Sequence, residues 1–264
     1  MKKILSLFLA LLMISLPIIS NAGQEKESDI DTARAIADLM ETQYDITVLI
    51  GSECSGFSGE TFSIGDKPAG RSPFRTMLGG CSYTTEIQMI DDTLSIYPAG
   101  FFEKFKCEEA PKGLRILLPN QILHEEKSMA GTITIEDGYY NLFLAVGMFK
   151  DLNIHHELWH VMEDRILQDS PNAFDHWTDL NPENFQYSED YFEMDIWEQA
   201  EPQDDWFARG YGTIDEIEDH ATVIEAIFQH DPDWWAQRPH LQKKLDFLLE
   251  AAEPIFGNVY SMNK

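Results

Sequence analysis

Residues 153–164 read NIHHELWHVMED, and within them His156 and His160 stand four residues apart with Glu157 beside the first. On a helix, positions four apart share a face, so this spacing aims two imidazoles at one point. That is a donor arrangement for Zn2+, and Glu157 is placed to take a proton from a zinc-activated water as general base. His155 is read as a neighbour and not a donor. A catalytic zinc needs a third protein ligand and keeps its fourth position for water or substrate. The downstream candidates are His176, Glu218, His220 and His230. The x-x-G-x-x-H continuation that would supply a third histidine is absent after His160, where the chain runs HVMEDRILQD. This points to a glutamate from a separate helix, with DEIEDHATVIEAIF (215–228) the obvious source. Asp219 is either a carboxylate that orients a ligand histidine or a surface group, and Asp164 is read toward the surface.

Those side chains need elements to hold them. Ile154, Leu158, Val161 and Met162 supply the apolar face of a helix from about 151 to 167. IDEIEDHATVIEAIFQH (214–230) is a second helix, and RPHLQKKLDFLLEAA (238–252) a third with Pro239 near its start. SDIDTARAIADLMETQYD (28–45) repeats Ala33, Ile36, Leu39 and Met40 at helical intervals, with Asp29 or Asp31 as its cap. TTEIQMIDDTLSIY (84–97) reads as a helix and PAGFFEKF (98–105) as a short one. Strands are expected at ITVLIG (46–51), at LRILLP (114–119) and twice in GTITIEDGYYNLFLAV (131–146), joined at Asp137-Gly138. Residues 52–82 read mostly as loop. The stretch 169–210 is a long connection whose aromatics, from Phe174 to Phe207, either cover the core or form a substrate lid. No internal repeat or linker divides the chain, which reads as one α+β domain with a small mixed sheet.

The first residues, MKKILSLFLALLMISLPIISNAG, carry two lysines, an apolar run and small residues at Ser20-Asn21-Ala22. They read as a signal peptide over 1–22, with the domain at 23–264 in an exported protein, periplasmic or secreted, free of the membrane once the signal is removed. The chain holds 46 acidic against 19 basic residues, a formal net charge of -27. Nucleic acid and anionic membrane surfaces are thereby disfavoured as partners, since both need positive surface. Of Cys54, Cys81 and Cys107, one pair is expected to form a disulfide and one thiol to remain, and none has zinc-ligand spacing.

YGTIDEIEDHATVIEAIF (211–228), HHELWHVMED (155–164) and, more loosely, KKLDFLLEAA (243–252) together resemble the catalytic region of the anthrax lethal factor group, a gluzincin-type set of zinc metallopeptidases. The W..LNP..F.Y pattern from Trp177 to Tyr187 and the ED.A of Glu218–Ala221 are similar to exported bacterial zinc peptidases. The resemblance spans roughly residues 85–256. It implies a zincin-like (minimal gluzincin) domain built around an H-E-x-x-H helix. It further implies one Zn2+ per chain on His156, His160 and Glu218, with Glu157 as base. Tyr211, seven residues before Glu218, would assist the carbonyl oxygen during attack. The activity so implied is hydrolysis of peptide bonds in a peptide or protein substrate. Trp159 departs from the group, which has a small residue there. Two other readings stand beside it. One is a non-catalytic exported protein whose zinc is closed by His220 or His176. The other is a zinc amidase acting on cell-wall material.

Overall fold

Residues 114–118, LRILL, are all buried, as expected of a strand covered on both faces. A computed structural model describes residues 22–59, 61–65, 82–124, 126–189 and 205–258. The proposed signal peptide, up to residue 21, lies outside the described residues, as do Cys81 and the aromatics Tyr191, Phe192 and Trp197. Among the described residues, LRILL forms β3 (Leu114–Leu118), flanked in parallel by β1 (Thr47–Ile50) and β7 (Tyr139–Leu144). β6 (Gly131–Glu136) completes the four-stranded sheet as an antiparallel edge, in the order β1-β3-β7-β6. The β6–β7 turn is Asp137-Gly138, with φ of 57° and 78°, and Glu136 faces Tyr139 across it. Two successive positive φ values define the tight hairpin turn that suits the sheet's twist, and glycine takes the second without strain.

Alternate residues of the central strands serve two cores. Leu114, Ile116, Leu118, Tyr140, Leu142 and Leu144 face the main one. Leu117 and Phe143 face a smaller cluster with Cys54, Phe62 and Ile122. Over that second cluster lies a three-stranded antiparallel sheet of β2 (Ser63–Gly65), β4 (Gln121–His124) and β5 (Lys127–Met129). These strands carry too little apolar alternation to be read from sequence, and β2 lies where the sequence reads as loop.

The helices fill the other side. α1 (Ala22–Tyr44) packs on α2 (Tyr83–Leu94) and β1. Its start precedes the expected one, so Asp29 does not cap it. The Asp29 carboxylate instead accepts from the backbone N–H groups of Tyr83 (2.8 Å) and Thr84 (3.1 Å), capping α2 beside its own Ser82. The short 98–105 helix is a single 3-10 turn, Phe102–Phe105. α3 (Asp151–Asp169) packs on α4 (Glu216–Gln229) and reaches β6 and β7. α5 (Pro232–Ala236) and α6 (Pro239–Phe256) follow, and α6 lies against both α3 and α4. The result is mixed α and β with small sheets, an α+β arrangement. Among the described residues, no helix is long and apolar enough to cross a membrane.

Cys54 and Cys107 are not in a disulfide, and the third cysteine is outside the described residues. Cys54 is wholly buried, its thiol pushed up to about 12 by burial.

Candidate metal centre

α3 begins where Asn153 Oδ1 accepts from Lys150 N–H, at 2.9 Å, in the first turn. Ile154, Leu158, Trp159, Val161 and Met162 are fully buried and fix the helix against the sheet and α4. Trp159 therefore sits in the core behind the histidines. With that face committed, His156 and His160 point toward α4.

α4 is capped by Asp215, whose Oδ1 accepts from the N–H of Glu218 at 2.8 Å. The cap sets the first helical turn, and Glu218 projects from it at the two imidazoles. Glu218 Oε2 lies 2.9 Å from His156 Nε2 and 3.7 Å from His160 Nε2, and the two Nε2 atoms are 3.2 Å apart. Donors on a tetrahedral zinc, with bonds of about 2.0–2.2 Å, stand about 3.3–3.5 Å from one another. The observed spacings straddle that figure. The donor set of two imidazoles and one carboxylate is also one zinc takes, so the residues fit the ion. His156, His160 and Glu218 form the group of potential ligands found among the described residues.

The electrostatics follow from this crowding. Burial opposes charge on His156, yet the hydrogen bond to Glu218, the contact with Glu225 and the charges of Glu218 and Glu157 outweigh it, pushing the imidazole up to about 10. His160 is raised in the same way, against its burial, by Glu218. Burial would raise Glu218, but hydrogen bonds and charge from both histidines hold it far below the carboxylate range. The three side chains thus form a buried polar group that favours a positive charge at its centre.

Glu157 is raised, chiefly by burial and despite the attraction of both histidines. It rests against Gly131, the first residue of edge strand β6. A Cβ at that position would lie 2.6 Å from Glu157 Oε1 and 2.8 Å from its Cγ. Tyr211 lies in a 3-10 turn, Gly210–Thr213, just before α4. Its ring centroid is 5.9 Å from that of His156. Burial, and then the charges of Glu218 and Glu157, raise the phenol well above its usual value. Gly212 lets this turn sit close on α4, since a Cβ there would come 2.6 Å from Thr222 Oγ1. The turn thus brings a protonated phenol to the three-donor group.

The other sequence candidates lie elsewhere. His220 is buried and bonded through Nδ1 to Glu163 Oε1 at 2.9 Å, with its ring 4.2 Å from that of Trp177. His176 has an 83 % exposed side chain and pairs with Asp179, while His230 stacks on Trp234. His155 bonds to the Tyr97 hydroxyl through Nδ1 and stacks on Phe228. Asp219 is neither at the surface nor on a ligand histidine. It is fully buried, 2.6 Å from the equally buried Lys244 Nζ, and accepts from Tyr187 OH and Trp177 Nε1. Asp164 is half-buried and accepts from Tyr140 OH at 2.8 Å. Of the 174–207 aromatics, Phe174, Trp177 and Phe207 are buried as core cover.

One participant escaped the sequence reading. Glu225, on α4 two turns beyond Glu218, places Oε2 3.3 Å from His156 Nδ1 and 2.8 Å from a guanidinium nitrogen of Arg209. The seven-residue interval on one helix was the available signal.

No family model and no curated protein matches the chain. Among solved structures it is similar to a "putative zinc-binding metallo-peptidase" from Bacteroides caccae. The identity is 14%, the TM-score 0.47, and the match covers 91% of this chain and 92% of that one.

Proposed function

We propose that this chain is an exported zinc-dependent metallopeptidase of gluzincin type, holding one Zn2+ on His156, His160 and Glu218. The observation that carries the reading is convergence. Three donors from two helices meet at zinc-like spacing, with the half-buried Glu157 and Tyr211 beside them. Bound there, the ion would supply Lewis acidity toward a peptide carbonyl and lower the pKa of water. Glu157 takes the proton from the attacking water and passes it to the leaving amine. Its half-buried setting, which raises it, suits a group that must both accept and return a proton. Tyr211 keeps its proton and donates it in a hydrogen bond to the oxygen on which negative charge develops.

A structural zinc is closed by four protein ligands, whereas a catalytic one keeps an open position. With His220 held by Glu163 and His176 at the surface, the group offers three protein donors among the described residues. This favours the enzyme over a zinc-closed binding protein. The substrate is proposed to be a peptide or protein, reached after removal of the 1–22 leader.

The test is digestion of a diverse peptide library by zinc-loaded protein, read by mass spectrometry, with Glu157→Gln alongside. Cuts are expected from the wild type and a loss of about 100-fold or more in the variant, zinc content unchanged. Cleavage that proceeds equally in both would sink the proposal.

A further inference from the structure

His156 is approached by carboxylates from two directions, both on α4. Glu218 meets Nε2 at 2.9 Å, and Glu225 faces Nδ1 at 3.3 Å. Glu225 has 5 % relative exposure, so its charge needs a partner, because an unpaired buried carboxylate is strongly unfavourable. Arg209 supplies it at 2.8 Å on the same Oε2. The Arg209 guanidinium carbon also lies 5.2 Å from the ring centroid of Tyr211, and Arg209 is the residue that opens the Gly210–Thr213 turn. One arginine therefore touches both the carboxylate behind a metal donor and the ring of the phenol donor.

We infer that Glu225 and Arg209 are positioning residues for this centre, an inference that rests on the zinc reading above. Glu225 holds the proton of His156 on Nδ1 and so leaves the Nε2 lone pair for the metal. A carboxylate behind a ligand histidine fixes its tautomer and ring orientation and raises its basicity. Arg209 pairs with Glu225 and keeps it directed at the imidazole, and braces Tyr211 over the same site. Neither ligand Nδ1 makes a regular hydrogen bond in this arrangement, but His156 Nδ1 has the Glu225 carboxylate 3.3 Å away, and among the described residues no carboxylate pairs with Nδ1 of His160. The two imidazoles are therefore unequal, and His156 is the one with a carboxylate behind it.

The experiment uses the mature chain and Zn2+ competed against a chromophoric chelator. Glu225→Ala is expected to weaken zinc binding by about 10–100-fold, the usual cost of removing such support. Glu225→Gln, whose amide oxygen still accepts from Nδ1–H, should recover most of it. Arg209→Ala should weaken zinc less and lower kcat more than it changes KM. Zinc affinities of Glu225→Ala and Arg209→Ala within twofold of wild type would overturn the inference and leave the metallopeptidase reading intact. Should Glu225→Ala fail to fold, histidine-selective 15N NMR of the zinc-loaded wild type decides instead. A protonated Nδ1 on His156 supports the assignment, and a metal-bound or bare Nδ1 overturns it. A wild type that takes up no zinc removes both readings at once.

Discussion

Glu157 occupies a space that a missing side chain leaves open. Gly131 leaves the space that its carboxylate occupies, with a hypothetical Cβ at 2.6 Å from Oε1 and 2.8 Å from Cγ. Contact with the carboxylate alone could be relieved by a rotation, but contact with Cγ requires the whole side chain to shift. Displacing a catalytic group by about 1 Å can cost about 100-fold in rate. Given the proposed role of Glu157 as base, Gly131→Ala is expected to lower kcat by about 10-fold or more while zinc content stays at wild-type level. Steady-state kinetics with parallel metal quantification checks this, and an undiminished kcat refutes it. The spacing of His156, Glu157 and His160 was readable because helical geometry is local. The roles of Gly131 and Arg209 depend on which strand and turn come to lie beside α3, and no local pattern states that. Asp219 misled for the same reason. Its partner Lys244 lies on α6, and a buried ion pair has no sequence period.

Among the elements, α1 and α2 are joined through a carboxylate. Asp29 accepts from two N–H groups at the start of α2, where the helix dipole also favours negative charge. Burial would raise its pKa, yet hydrogen bonds from Thr84 and Tyr83 prevail and hold it below the ordinary 3.8. A carboxylate depressed in the folded state stabilises above its unfolded pKa and loses that contribution as pH falls through its folded one. Asp29→Ala should cost about 1 kcal/mol at neutral pH. The difference from wild type should narrow as pH falls below 3.8. Denaturant titrations at several pH values measure it, and a gap that stays constant down to strong acid would disprove the role. All six described helices coincide with sequence expectations, or with one of their turns, except α5, whose five residues are too few for periodicity. β1, β3, β6 and β7 were legible from apolar runs and from the Asp137-Gly138 turn. β2, β4 and β5 were not, because they are three or four residues long and largely solvated.

For the molecule as a whole, the formal charge of -27 acts at a distance that the centre's own hydrogen bonds do not. A strongly negative surface speeds encounter with cationic ligands and slows anionic ones, and salt screens both effects. The screening length shrinks from about 30 Å at 0.01 M to about 8 Å at 0.15 M ionic strength. Given peptidase activity, kcat/KM for a lysine-rich peptide should fall several-fold across that range, while that of an acidic analogue rises. Matched salt profiles for the two peptides would rule out steering.

The parallel pairing of β1 with β3 sets when the fold can form. Thr47 lies opposite Arg115 and Ile50 opposite Leu118, so the first strand has no partner until the chain between has been closed into a loop. β3 then needs β7, with Leu114 opposite Tyr140. Such distant pairings place the entropic cost of closure ahead of the contacts that repay it, and they slow folding relative to helical domains of similar size. α1 and β1 are thus made early and finished late: among the described residues, the earliest strand waits longest for the one that completes it.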